Sequence, residues 1–136
     1  MSDKNFKVQV VTPSGVVLDK EVEEIVAPGI MGEFGVLIGH TPMLTFIRPG
    51  VFSYLENDKF VKFAVGAGFC EVLKDSVSVL VSSAAKAEDI DLNEAKAELQ
   101  AVEEQLAQID ATADPEGFKA ISDKVKFAQV KVGLAS

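Results

Sequence analysis

The chain has 136 residues, 48% of them hydrophobic, and a formal net charge of −8. This length and composition predict one folded core with at most a small appended element, and they exclude a multidomain enzyme. The acidic balance argues against nucleic acid and anionic membrane surfaces as partners, because both attract lysine and arginine. Since Cys70 is the only cysteine, an internal disulfide and a thiolate-rich metal site are excluded.

The first part of the chain consists of short apolar runs separated by turn residues. Mostly polar residues alternate with the apolar positions of the three clearest runs: Phe6, Val8 and Val10; Val61, Phe63 and Val65; Val77, Val79 and Val81. Such alternation predicts strands with one buried face. Many short strands without a helical period between them indicate an antiparallel β-sandwich or flattened barrel, which we place at residues 1–84. Cys70 lies in one of these strands and is expected to be buried and unreactive.

The composition changes after Ala84, where apolar residues begin to recur at steps of three and four. The first such seam predicts a helix over about residues 91–109, with Asp91 and Glu94 as a capping box. The second predicts a helix over about residues 115–132, with Asp114 at the N-cap and Pro115 at the first helical position. Two amphipathic helices joined by a short link indicate an antiparallel hairpin over residues 85–136.

The second predicted helix concentrates basic residues. Its lysines are Lys119, Lys124, Lys126 and Lys131, whereas the first helix carries mainly glutamates. One interpretation is that these are solvated faces with some attraction across the hairpin. The other is that the lysine-bearing helix docks on an acidic surface elsewhere.

The segment GEFGVLIGHTPML, residues 32–44, contains the only histidine of the chain, His40, in a glycine-rich setting that predicts a loop. A histidine base needs a partner group and a pocket, and Glu33 is the carboxylate near it in sequence. Catalysis by Glu33 and His40 would make the chain a small acid–base hydrolase. Alternatively, the glycines hold a tight backbone that presents both side chains to another protein.

Two motifs carry a resemblance to a known family. The family run G-E-[LF]-G-[IV]-[LY]-x-G-H-x-P-[LM]-[LV] is met by residues 32–44. A later run, GG-[FIL]-x-E-V, is met by Gly68, Phe69, Glu71 and Val72, with Ala67 in place of its first glycine. Both motifs occur in order and the hairpin follows them, so the whole chain resembles the epsilon subunit of bacterial and chloroplast F-type ATP synthases.

The resemblance implies a non-catalytic subunit of the rotating central stalk, with the gamma subunit, the rotor-ring c subunits and the alpha/beta catalytic head as partners. It implies that the sandwich couples proton translocation to ATP synthesis through gamma, and that Glu33 and His40 face the rotor-ring loops. The family's hairpin can extend into the head and restrain ATP hydrolysis, which implies head contacts for the four lysines of the second helix. The implied location is peripheral, on the cytoplasmic side of the bacterial inner membrane.

Many bacterial members of that family carry an ATP-binding motif, [IL]-D-x-x-R-A, at the start of the first helix. Ile90, Asp91 and Ala95 match it, but Glu94 stands in place of the arginine. A carboxylate repels a polyphosphate, and the hairpin contains no arginine that could replace the missing one. We therefore expect no bound nucleotide, no other cofactor and no metal. The alternative function is that of an adaptor in an unrelated complex that shares only the fold.

Overall fold

Ten strands precede two helices in the computed structural model, which describes residues 4–136; residues 1–3 of the predicted sandwich lie outside the described residues. The strands are β1 Phe6–Thr12, β2 Gly15–Val22, β3 Glu24–Gly29, β4 Gly32–Leu37, β5 Met43–Ile47, β6 Gly50–Glu56, β7 Lys59–Val65, β8 Gly68–Val72, β9 Ser76–Val81 and β10 Ala84–Lys86. A 3₁₀ turn at Ala87–Asp89 leads to α1, Leu92–Ala107, and α2, Pro115–Ala135.

The strands form one nearly closed sheet in the order β10-β7-β6-β3-β5-β8-β9-β1-β2, and β4 lies off this path, paired with β3. The predicted sandwich or flattened barrel is confirmed, with one correction: β1 and β9 run parallel, whereas the other pairs run antiparallel. Most of the strand region separates β1 from β9 along the chain, so no tight turn forces these two strands to run antiparallel. The sheet stays open between its two edge strands, β2 and β10. Lys20 of β2 donates to Oε1 of Glu56 on β6 at 2.8 Å, which links the two sides of the sheet across this opening.

Alternate positions of the strands fill the core. The predicted inward positions of β1 and β9 are buried, as are Phe63 and Val65 of β7, while Val61 packs against the core from a partly buried position. Phe52 and Phe63 meet edge to face with ring centroids 6.4 Å apart, a favourable arrangement for aromatic pairs. Ala64, on the opposite face of β7, is also buried because α2 packs against β7.

Both helices begin at the predicted caps. Asp91 Oδ1 accepts a hydrogen bond from the Glu94 amide at 2.9 Å, and Asp114 Oδ1 accepts one from the Gly117 amide at 2.9 Å. Pro115 occupies the first helical turn, where its missing N–H leaves no bond unmade. Of the two hydrogen bonds of the predicted capping box, only the one to the Asp91 carboxylate forms. Within the described residues the Glu94 carboxylate makes no hydrogen bond to the Asp91 amide.

The helices end at residues other than those predicted. The first ends at Ala107 rather than at Ile109, because the amides of Gln108 and Ile109 bond to carbonyls only three residues back and the chain tightens into a turn. The second continues to Ala135, three residues beyond the predicted end at 132. Leu134 and Ala135 are half-buried, so the apolar face of α2 persists to its last turn.

The two helices form the predicted antiparallel hairpin. Glu98 of α1 and Lys131 of α2 form an ion pair across it, which brings the first half of α1 beside the last part of α2. The hairpin folds down on the sheet, where α2 packs against β6 and β7, and Ala95, Val125 and Ala128 are buried. None of the helices in residues 4–136 is long and apolar enough to cross a membrane.

The predicted boundary after Ala84 falls at the first residue of β10. Ala84, Ala85 and Lys86 pair with Val65, Ala64 and Phe63 of β7, so the sheet continues two residues past that boundary. A three-residue strand is too short to show a periodic pattern in sequence. The division of the chain into two domains stays a prediction.

Candidate docking surfaces

The first half of the predicted glycine-rich loop is a strand, β4, which forms a hairpin with β3. The turn between them requires glycine at both ends: Gly32 has φ +128°, and a Cβ on Gly29 would lie 2.8 Å from the Gly32 carbonyl oxygen. Glu33, Gly35 and Leu37 are exposed, whereas Phe34 and Val36 turn inward. The outer face of β4 therefore presents a carboxylate, bare backbone and an apolar side chain in a row.

The second half of the segment is a loop that holds His40. Gly39 has φ +79°, and its amide donates to the Lys74 carbonyl at 3.1 Å, which ties the loop to the turn between β8 and β9. The His40 ring lies with Nδ1 2.7 Å from the Thr41 carbonyl oxygen, so Nδ1 carries the proton and donates it. The histidine is half-buried, with its backbone amide bonded to the Leu37 carbonyl at 3.1 Å.

Glu33 and His40 lie toward opposite ends of β4. Four residue steps of strand, about 13 Å, separate Glu33 from Leu37, and a turn in which the His40 amide donates to the Leu37 carbonyl places His40 beside that end. Within residues 4–136 the Glu33 carboxylate makes no hydrogen bond to the imidazole, whose Nδ1 is bonded to the Thr41 carbonyl, so the pair does not show the geometry of an acid–base site. The structure gives no support to the hydrolase interpretation, and both side chains are available only as separate surface contacts.

A second surface, not predicted from the sequence, is a row of large apolar side chains on the outer face of the sheet. Phe46 of β5 is the direct partner of Phe69 of β8, which in turn is the partner of Leu80 of β9. Their side chains are 66%, 41% and 38% exposed, and Leu44, on the same face of β5, is 69% exposed. We call Leu44, Phe46, Phe69 and Leu80 the apolar band.

The apolar band continues at both ends. The amide of Ile30, an exposed residue in the β3–β4 turn, donates to the Phe46 carbonyl at 3.0 Å. At the other end Val11 of β1 is the partner of Leu80. A sequence signal for this surface exists: MLTFI, residues 43–47, has apolar side chains on both faces of the strand, as a strand covered on both sides does.

The four lysines of α2 divide into two kinds. Lys119 donates to both carboxylate oxygens of Asp123 at 2.8 and 2.9 Å. Lys131 pairs with Glu98, and its ammonium lies 5.4 Å from the centroid of the Phe127 ring. The side chains of Lys124 and Lys126 are exposed and form no ion pair within residues 4–136. Two lysines thus serve the hairpin itself, and two remain available to a partner.

The residues that match the ATP motif lie at the start of α1. Ala95 is buried against the rest of the fold, and its amide donates to the Asp91 carbonyl at 2.9 Å. Glu94 is exposed, with its amide taken by the Asp91 carboxylate, and Ile90 bonds back to Ala87 at 3.2 Å. The helix start is therefore occupied by its own carboxylate, in the place where a phosphate would need free amides.

Cys70 lies on the core face of β8 and is fully buried, as expected. Burial raises the pKa of the Cys70 thiol to about 12, because the apolar surroundings disfavour the thiolate. A protonated, inaccessible thiol is a packing group, and its neighbour Phe69 lies on the opposite face of β8, in the apolar band.

Comparisons with known proteins agree with this architecture. The family model described as the ATP synthase delta/epsilon chain β-sandwich domain matches residues 5–87. The ATP synthase epsilon chain 2 of Syntrophotalea carbinolica is 41% identical over 97% of this chain and 94% of its own length. The chain belongs to the ATP synthase epsilon chain family. The epsilon chain of Geotalea daltonii is also similar, at 40% identity over 99% of this chain and 96% of its own.

Solved structures show the same fold. A chain of the Euglena gracilis mitochondrial ATP synthase, in a structure of its OSCP, F1 and c-ring parts, aligns with a TM-score of 0.72 at 19% identity. That alignment covers 93% of this chain and 78% of the other. A chain from the central stalk and c-ring of the Tetrahymena thermophila enzyme aligns with a TM-score of 0.62 at 13% identity, covering 93% and 95%. Epsilon chains are a non-catalytic stalk part of the ATP synthase, and the chain is a member of that family.

Proposed function

We propose that the chain works in the central stalk of a rotary F-type ATP synthase, where it couples proton translocation through the rotor ring to ATP synthesis by way of the gamma subunit. The observation that carries this proposal is the apolar band. Large apolar side chains on neighbouring strands at the surface of an acidic chain mark a site where another protein docks. Membership of the epsilon chain family supports the gamma subunit as that protein.

The size of the apolar band limits the binding free energy that the band can supply alone. Fully burying a large apolar side chain contributes roughly 1.5–3 kcal/mol. About half of that is available at Phe46, Phe69 and Leu80, because each is already partly covered. The band therefore supplies a few kcal/mol before the costs of association, and a stably bound gamma subunit must also contact neighbouring surfaces.

The outer face of β4 is the surface that we assign to the rotor-ring c subunits. Glu33 supplies an exposed carboxylate at one end of the strand and His40 an imidazole beyond the other, with Leu37 between them. A partner that contacts both must lie along the whole length of β4. A ring of loops presents such an extended surface, whereas a single inserted side chain does not.

The hairpin is the part that we assign to the control of ATP hydrolysis. When α2 leaves the sheet, its lysines Lys119, Lys124, Lys126 and Lys131 become available to an acidic surface of the alpha/beta catalytic head. Lys124 and Lys126 can bind that surface without breaking an ion pair, whereas Lys119 must first separate from Asp123 and Lys131 from Glu98. We place the subunit on the cytoplasmic side of the bacterial inner membrane, attached through its partners.

Purification of the tagged full chain from its native cell, followed by identification of the bound proteins, tests the proposed function. We expect the gamma subunit, the rotor-ring subunit and the alpha and beta subunits to copurify in fixed ratio. Recovery of a different set of proteins without gamma would favour the adaptor of an unrelated complex.

A further inference from the structure

A cleft of about 400 Å³ lies between α2 and the end of the sheet, outside the surfaces described above. Its walls are apolar: Ala67, from the turn between β7 and β8, faces Ala120 and Phe127 of α2. Ser82 and Ser83, which follow β9, form part of its floor. The cleft exists because the residues facing α2 at this end are small and leave the groove beneath the helix unfilled.

This cleft is continuous with the apolar band. Ala67 and Ser82 also line a shallow apolar groove of about 370 Å³, whose other wall includes Phe69 and Leu80. A protein that covers Phe69 and Leu80 therefore reaches the mouth of the cleft without crossing a polar barrier. Because the band alone supplies only a few kcal/mol of binding free energy, a stably docked protein must cover further surface, and the cleft is the adjoining apolar surface.

The charge at the cleft is positive, although the chain as a whole is acidic. Asp123 lines the cleft, but Lys119 binds both of its carboxylate oxygens. Lys124 lines it too and forms no ion pair within residues 4–136. An apolar cavity beside an unpaired ammonium is suited to a large apolar side chain with a carboxylate next to it.

We propose that the gamma subunit inserts such a side chain, aromatic or long aliphatic and flanked by an acidic residue, into the cleft between α2 and the sheet. This inference rests on the proposed function, since it takes the occupant of the apolar band to be gamma. The inserted side chain contacts α2 on one side and the sheet on the other, so it is bound only while the hairpin is docked. Gamma binding and hairpin docking then stabilise each other to the same extent, as linkage requires.

Two pairs of variants of the full chain test this proposal by titration with the purified gamma subunit. Ala120→Phe fills the cleft, and Ala101→Phe makes the same change at an exposed position of α1. Lys124→Glu reverses the charge at the mouth, and Lys96→Glu does so at an exposed position of α1. We expect both cleft variants to weaken gamma binding at least fivefold and both controls to stay within twofold of the wild type. Hydrogen exchange should show slower exchange of α2 amides when gamma is bound to the wild-type chain.

The outcomes separate this inference from the proposed function. If Phe46→Ser weakens gamma binding while both cleft variants bind like their controls, the proposed function stands and the cleft inference is wrong. If the wild-type chain does not bind gamma, both are wrong. Concentration-dependent self-association of the wild type that Ala120→Phe abolishes would assign the cleft to a second copy and contradict the inference. Thermal melting checks the fold of each variant, and Lys124→Glu decides the matter if Ala120→Phe does not fold.

Discussion

Phe46 of β5 and Phe69 of β8 lie directly opposite each other in the sheet, and both rings point away from the core. The neighbouring pair on the opposite face, Thr45 and Cys70, turns inward, and Cys70 is fully buried. Two facing phenylalanines on the solvent side do not help the isolated sheet as they would a core, because water still reaches them. Under the proposed function, the gamma subunit covers this face, which would explain their position.

The sheet should fold without the hairpin, provided that β10 is kept. Residues 1–89 retain the pairing of Ala84–Lys86 with β7, whereas a fragment ending at Ser83 lacks it. We expect the longer fragment to unfold cooperatively, and the shorter one to be less stable by roughly 1–2 kcal/mol, because backbone bonds at the edge of β7 are lost. Denaturant titration of both fragments measures the difference. Equal stabilities would show that β10 contributes nothing to the stability of the sheet. Non-cooperative unfolding of residues 1–89 would show that the sheet needs α2 to fold.

Charge reversal on the outer face of β4 should impair coupling but not folding. Glu33 is exposed and has no ion pair within residues 4–136, so Glu33→Lys should change the free energy of unfolding by less than ~0.5 kcal/mol. Combined with His40→Ala, it should reduce attachment to the rotor ring and ATP-driven proton pumping in the assembled enzyme. Glu103→Lys, the same reversal on an exposed position of α1, is the control. Normal pumping and normal ring attachment in the double variant would show that Glu33 and His40 are not part of the interface.

Inhibition of ATP hydrolysis, where it occurs, should depend on Lys124 and Lys126. Changing both to glutamine removes two charges that no residue of the hairpin neutralises, so it should relieve inhibition without loosening the fold. The effect should shrink as salt rises and screens the contact. Lys131→Gln should instead weaken the hairpin, because Glu98 loses its partner. Hydrolysis rates of the assembled enzyme at low and high salt are the measurement, and equal inhibition before and after the double change at low salt would reject the electrostatic account.

The isolated chain should bind ATP very weakly or not at all. Glu94 stands where the family's motif has arginine, and the Asp91 carboxylate already binds the Glu94 amide at the helix start. Negative charge and an occupied amide both oppose a phosphate there. Calorimetric titration with ATP and magnesium should give no saturable heat, and binding in the micromolar range would contradict this prediction. Glu94→Arg should recover part of the affinity if this position is the missing clamp.

The sequence was sufficient for the features that depend on local pattern. Alternation at Phe6, Val8 and Val10 predicted the buried face of β1, and Asp91 and Asp114 predicted the helix starts, because caps and strand faces are set by residues within a few positions. The ends of the helices were less well predicted, since the turn after Ala107 depends on hydrogen bonds that no single residue type signals.

Features that depend on distant pairing could not be predicted in this way. The parallel pairing of β1 with β9 and the short strand β10 follow from how the sheet closes. The apolar band was not predicted because Phe46, Phe69 and Leu80 lie on three different strands and become neighbours only in the folded sheet. For the same reason the sequence did not show that Glu33 lies near the start of a strand, β4, while His40 lies in the loop after its end.

If the apolar band is the surface through which the gamma subunit holds this chain, the affinity for gamma must depend on the two phenylalanines of the band. The variant is Phe46→Ser with Phe69→Ser, and the control is Phe60→Ser, which alters a phenylalanine that is 47% exposed on β7 and outside the band. We expect the double variant to keep its melting transition and to bind gamma at least tenfold more weakly, while Phe60→Ser binds within twofold of the wild type. Unchanged gamma affinity in a folded double variant would show that gamma does not bind the apolar band.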